Sequence, residues 1–148
     1  MERNEQQGPS GGITPHLLIR ERRAAEAIEF YAGAFGAREL NRVPTDDGRI
    51  MHAHLEINGG SLMLNDDFPE YHDGKAAGPP SGVTLHLQVT DADALWQQAI
   101  GAGATVLFPL EDQFWGDRYG QLQDPFGHRW SIAAPVQADQ AEALPVVE

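Results

Sequence analysis

Apolar positions along this chain change period in a regular order, and that order predicts the elements. Residues 13–19 form a short apolar run suited to a strand. Ala24, Ala27, Ile28, Tyr31 and Phe35 then recur at helical spacing and make one apolar stripe over residues 24–35. Gly36 follows where a left-handed cap ends a helix. Residues 37–43 and 50–57 read as strands, Asn58-Gly59-Gly60 as a hairpin turn, and 61–65 as its return strand. Residues 66–81 are rich in Pro, Gly and Asp and read as loop. A strand is expected at 82–89. A helix follows at 92–102, capped by Thr90 or Asp91 and closed by Gly103. Strands at 104–110 and 119–123, a turn at Asp124-Pro125-Phe126-Gly127 and a last strand at 128–133 complete the pattern.

The order is therefore βαβββ, a loop, and βαβββ again. The glycines support a duplication, since Gly36 and Gly103 stand 67 positions apart, as do Gly60 and Gly127. The fold class expected is α+β, built from two βαβββ modules at 13–66 and 82–134 joined by a loop at 67–81. Residues 1–12 and 135–148 are polar and read as tails.

Composition narrows the function by exclusion. The chain has 148 residues and no cysteine, so disulfides, thiolate metal sites and cysteine nucleophiles are out. Against 22 Asp+Glu stand only 10 Lys+Arg, a net charge of −12, which disfavours nucleic acid and anionic membrane surfaces. No apolar run is long enough to span a bilayer, and no basic-then-apolar leader opens the chain. A soluble cytoplasmic protein is the expectation.

Strand alternation sorts candidate chemistry by face. In the strand at 50–57, Ala53, Leu55 and Ile57 alternate with His52, His54 and Glu56. His-x-His pairs on one face stand roughly 7 Å apart and bind metals, so this face reads either as ligands or as a solvated polar surface. In the strand at 82–89, Val83, Leu85, Leu87 and Val89 are expected under the helices, opposite Thr84, His86 and Gln88. Tyr119, Gln121 and Gln123 share a face, and Arg129 and Ser131 lie opposite Trp130 and Ile132. Trp115-Gly116-Asp117-Arg118-Tyr119 reads in two ways. It is a stacking wall with Arg118 meeting an anion, or a structural loop in which Asp117 and Arg118 pair with each other or with the Asp124 turn. Residues 68–73 are either a lid or an ordinary surface loop.

Several segments resemble the vicinal-oxygen-chelate superfamily, which includes glyoxalase I, extradiol dioxygenases, fosfomycin-resistance enzymes and bleomycin-binding proteins. They are Ala25-Glu26-Ala27-Ile28-Glu29-Phe30-Tyr31, Phe35-Gly36-Ala37, Ile50-Met51-His52-Ala53, Trp115 to Gly120, and Asp124 to Trp130. The likeness is to the PhnB-like, glyoxalase/bleomycin-resistance branch. It implies two modules whose sheets curl around a concave cavity, usually in a homodimer. It also implies a divalent metal (Zn, Ni, Mn or Fe) held by His, Glu and sometimes Gln or Tyr. Transferred position by position, the ligand sites fall at His16, at Met63 (or Leu64 if the hairpin slips), at Thr84 and at Ser131. Only His16 is a metal-ligating side chain.

The resemblance thus implies a protein that binds a small molecule in its cavity and lacks the usual metal site. The ligand-facing residues expected are His16, His52, His54, Thr84, His86, Trp115, Arg118, Tyr119, Gln121 and Ser131. The acidity of the chain suits a cationic, bleomycin-like ligand. The alternative is a metal-dependent lyase, isomerase or dioxygenase with a displaced ligand set drawn from His16, His52, His54, Glu56 and His86, with His16, His86 and Glu56 the preferred trio. A third reading is metal-free acid–base catalysis by Glu56 or a histidine.

Overall fold

The computed structural model describes residues 8–136. Those parts of the expected tails at 1–7 and 137–148 lie outside the described residues. The chain divides into two compact units, Met1–Pro79 and Pro80–Glu148.

The first unit holds β1 (His16–Ile19), α1 (Ala24–Phe35), β2 (Arg38–Pro44), β3 (Ile50–Ile57) and β4 (Gly60–Asp66). Its sheet runs β1-β4-β3-β2, with β1 parallel to β4 and the other pairs antiparallel. The second unit repeats this with β5 (Thr84–Gln88), α2 (Ala92–Ala102), β6 (Thr105–Asp112), β7 (Asp117–Gln123) and β8 (Arg129–Pro135). Its order is β5-β8-β7-β6, and β5 is parallel to β8. Two βαβββ modules are thus present, and both helices match their expected limits.

Period-two alternation turns Leu17, Ile19, Ala53, Leu55, Ile57, Leu62 and Leu64 to one face of the first sheet, and all are buried. α1 buries Ala24, Ala27, Ile28, Phe30, Tyr31, Ala34 and Phe35. The β3–β4 turn is a two-residue loop. Asn58 (φ 50°) and Gly59 (φ 79°) both adopt the left-handed region that such a hairpin requires. α1 has no side-chain cap of its own, but the buried Asp66 at the end of β4 accepts the Ala24 N–H at 2.9 Å and the Ile50 N–H at 2.7 Å. Asp66, expected at the start of the loop, is therefore a structural carboxylate in a strand.

In the second unit the Asp91 side chain caps α2 by accepting the Ala94 N–H at 3.0 Å. α2 packs Trp96 over Gly120 of β7. A Cβ added at Gly120 would lie 2.6 Å from the Trp96 ring and 2.9 Å from the Leu110 Cα. The Asp124 turn is held from inside. Its carboxylate, 4% exposed, accepts the Phe126 and His128 N–H groups and the Trp130 indole N–H, each at 2.9 Å.

The edges depart from expectation. β1 begins only at His16, and Ile13 is fully exposed. Val83 precedes β5 and is exposed rather than under the helix, because the parallel pairing with β8 starts at Thr84. β7 begins at Asp117, so Asp117 and Arg118 are strand residues and not loop. β8 continues through Pro135. Val136 is buried and donates its N–H to Gly116 O at 2.9 Å, past the expected limit at 134. No described helix is long and apolar enough to cross a membrane.

Two substitutions test this packing. Asp124→Ala leaves two buried donors and one half-buried donor without an acceptor and is expected to cost ~3 kcal/mol. By thermal melting that is a fall in Tm of roughly 10 °C for a chain this size. Gly120→Ala drives a methyl into Trp96 and is expected to lower Tm by at least roughly 3 °C, where an open strand glycine would tolerate the change.

Candidate functional site

Each sheet has a second face, away from its helix, and the candidate residues gather there. In the first unit, register brings His16 opposite Met63 and His54 opposite Met63 on the other side. The unslipped hairpin thus selects Met63, not Leu64, as the residue beside His16. His16 Nε2 donates to Asn65 Oδ1 at 2.6 Å, and Asn65 Nδ2 donates to Asp66 O at 2.6 Å, which fixes the amide orientation. The His52 ring lies edge-on to His16 with centroids 6.4 Å apart. His54 is 1% exposed, and its Nε2 lies 2.9 Å from Ser61 Oγ. His54 is therefore internal, which departs from the solvated-surface reading of this face. Glu56 is at the exposed end of the same face, 3.6 Å from Arg38 in an ion pair.

In the second unit, His86 stands opposite Ser131, and Ser131 stands opposite Gln121. Thr84, the position carried over from the family pattern, pairs instead with Arg129, one step along the same face. His86 Nδ1 lies 2.7 Å from Ser131 Oγ, and His86 Nε2 lies 2.8 Å from Gln88 Oε1. With the Gln88 carbonyl accepting, Nε2 carries the proton and Nδ1 accepts from the Ser131 hydroxyl. The Tyr119 ring stacks on His86 at 6.2 Å, and Gln121 Nε2 donates to the Tyr119 hydroxyl at 2.8 Å.

Aromatic rings extend this face toward the β6–β7 hairpin. Trp115 meets Tyr119 edge-on at 5.9 Å and Phe114 at 5.1 Å. Trp115 is 51% exposed and Phe114 64%. Four rings, from Phe114 to His86, thus form a continuous ladder.

Arg118 does not join it. Alternation puts Arg118 on the helix side of β7. There its guanidinium contacts both Asp93 oxygens on α2 at 2.9–3.1 Å and Asp112 at 3.1 Å. Asp93 first, and then Asp112, hold its pKa above the usual arginine value. Neither expected partner, Asp117 or the Asp124 carboxylate, takes it. Residues 68–73 are tethered by Arg49, which bonds both Glu70 oxygens at 2.6 and 3.0 Å and lies 4.3 Å over the buried Phe68 ring. A single 3₁₀ turn, Pro69–Tyr71, carries Glu70 to that contact.

The donor chemistry decides how a divalent ion would fit. Beside His16 stands a thioether, and the His16 nitrogen that faces Asn65 is protonated. Opposite His86 stands a hydroxyl, and both His86 nitrogens are already hydrogen-bonded. A hard or borderline divalent ion asks for carboxylates and free imidazoles. Glu56 is paired with Arg38, and among the described residues no group of three or more His, Asp and Glu is arranged to hold an ion. The residues at these positions do not fit the metal that the vicinal-oxygen-chelate likeness implies.

Sequence reasoning missed Ser61, Asn65 and Phe114 as members of these faces. Ser61 and Asn65 alternate with the buried Leu62 and Leu64, which is the signal that could have found them.

A model of the Glyoxalase/Bleomycin resistance protein/Dioxygenase superfamily matches residues 13–132. An uncharacterized protein of Mycobacterium bovis is 54% identical over 129 residues, covering 84% of each chain. The crystal structure of TioX from Micromonospora sp. ML1 is similar with TM-score 0.65 and 27% identity, covering 84% of this chain and 100% of that one. A Pseudomonas aeruginosa protein of solved structure gives TM-score 0.68 and 26% identity, covering 85% of this chain and 98% of that one.

His52 gives the first face a pH dependence. Burial first, then the charges of His16 and His54, hold its pKa below the ordinary histidine value. The folded state therefore binds fewer protons than the unfolded chain, and stability contributed by neutral His52 is lost as pH falls through the unfolded histidine value near 6.5. Thermal melts at about pH 8 and about pH 5 are expected to show a smaller acid-side fall for His52→Gln than for the parent. An equal fall would contradict it.

Proposed function

The chain belongs to the Glyoxalase/Bleomycin resistance protein/Dioxygenase superfamily, and on that premise we propose that it is a metal-independent small-molecule-binding protein. The polar and aromatic face of the second sheet is its principal ligand surface. His86, Tyr119, Gln121, Ser131 and Trp115 form that surface, with Thr84 at its edge. The observation that carries the reading is the ring ladder Phe114–Trp115–Tyr119–His86 running into a chain of side-chain hydrogen bonds. Half-exposed rings next to a few fixed polar groups are how proteins hold planar organic molecules. His16, His52 and His54 supply a comparable polar face in the first unit.

The donor set supports independence from metal. A thioether, hydroxyls and imidazoles engaged with Asn65, Ser131 and Gln88 are suited to hydrogen bonding with an organic ligand, not to coordination. Arg118 stays outside the ligand surface, since two carboxylates already occupy its guanidinium. Family membership also supports a homodimer as the working assembly.

Thermal-shift screening of a planar-compound library tests the reading. Compounds that raise Tm are expected to lose that effect in Trp115→Ala and to keep it in Arg118→Gln. Protein purified without a metal-affinity tag is expected to hold less than roughly a tenth of an equivalent of Zn, Ni, Mn or Fe, and EDTA should leave the ligand shifts unchanged. Stoichiometric metal, or ligand shifts abolished by EDTA, would overturn it.

A further inference from the structure

The second sheet leaves two hydrogen-bonding atoms uncommitted, side by side. Gln121 donates from Nε2 to the Tyr119 hydroxyl at 2.8 Å, while its Oε1 is shielded from solvent and has no partner. Because the Tyr119 oxygen accepts in that bond, its own O–H proton remains to be given, and no described residue takes it. The donors and acceptors nearby are already engaged. Ser131, across from Gln121, is hydrogen-bonded to His86 Nδ1, and Gln88 holds His86 Nε2. A shielded carbonyl without a donor opposes folding unless something supplies one.

We propose that Gln121 Oε1 and the Tyr119 hydroxyl form a matched acceptor and donor that select a planar ligand with a lactam-type edge. Such an edge is an N–H beside a C=O, or an amino group beside a ring nitrogen. The ligand's N–H satisfies Gln121 Oε1, and its carbonyl or ring nitrogen accepts the Tyr119 proton. Trp115, in edge contact with Tyr119 and half exposed, offers a ring for the body of the same planar molecule. This inference rests on the reading of the second sheet as the ligand surface, and it adds the hydrogen-bond pattern that the ligand must present. A site built to pair with an N–H rejects the analogue that lacks it, because the carbonyl is then left buried and unpaired.

The test uses 2-oxindole and its N-methyl derivative, which share the planar ring system and carbonyl and differ in carrying N–H or N–CH3. Their affinities for the full chain are compared by NMR titration. The parent protein is expected to bind 2-oxindole about ten-fold more tightly than N-methyl-2-oxindole, the effect of one hydrogen bond. Gln121→Met is expected to bring that ratio close to one. Gln121→Glu, which keeps an acceptor at the same place, is expected to retain the preference. Tyr119→Phe should weaken both compounds together, since both carry the carbonyl. Equal binding of the pair by the parent protein, or a preference that survives in Gln121→Met, overturns this inference and leaves the ligand surface standing. Binding of neither compound, with no other planar compound stabilising the protein, overturns both.

Discussion

In each unit the first strand runs parallel to the last, and the register of that one pair decides which side chains can meet. A slip of one residue would send every side chain of the strand to the other face. With the register as it is, Leu17 and Leu64 share the helix side, while His16 and Met63 share the other. In the second unit, Leu87 and Ile132 go under α2, and His86 and Ser131 come together outside it. The apolar faces hold the register, because moving it would expose the buried leucines and isoleucines at about 25 cal/mol for each Å² of apolar surface. The site chemistry is thus a consequence of the core.

That constraint also decides which side chains stand where the family likeness would place metal ligands. The strands bring first-strand and last-strand side chains together in each unit, but they are not a set of metal ligands. Met63 meets His16, and Ser131 meets His86. What remains is a set of hydrogen-bonded imidazoles flanked by amides and hydroxyls, continued on the second sheet by a row of aromatic rings. In the proposed reading, such a surface recognises shape, ring faces and hydrogen-bonding edges.

Much of this was legible from the sequence, and the exceptions have a common cause. Helical periodicity located both helices to the residue, because an apolar stripe ended by Gly36 or Gly103 is a local signal. Period-two alternation assigned His86, Gln121 and Ser131 to the polar faces for the same reason. The missed features depend on partners far along the chain. Asp93 claims Arg118 from 25 positions away. Asp66 reaches α1 from 42 positions away. The choice of His86 over Thr84 opposite Ser131 spans 45. No short window of sequence contains either end of such a pair together with the other. The resemblance, in turn, proposed positions along the chain but carried no information on strand register, so it named Thr84 where the pairing sets His86 opposite Ser131.

The central claim is that a planar ligand docks on the second sheet beside Trp115 with no metal involved. The chain has three tryptophans, which give three indole N–H signals. Trp96 is buried over Gly120, and Trp130 is buried with its N–H on Asp124, so both serve as internal references. The direct measurement is a 1H–15N spectrum of EDTA-treated protein titrated with a stabilising planar compound. The account predicts that the Trp115 signal moves in a saturable way while those of Trp96 and Trp130 stay in place. A compound that stabilises the protein while Trp115 stays still, or that binds only after metal is restored, would contradict it.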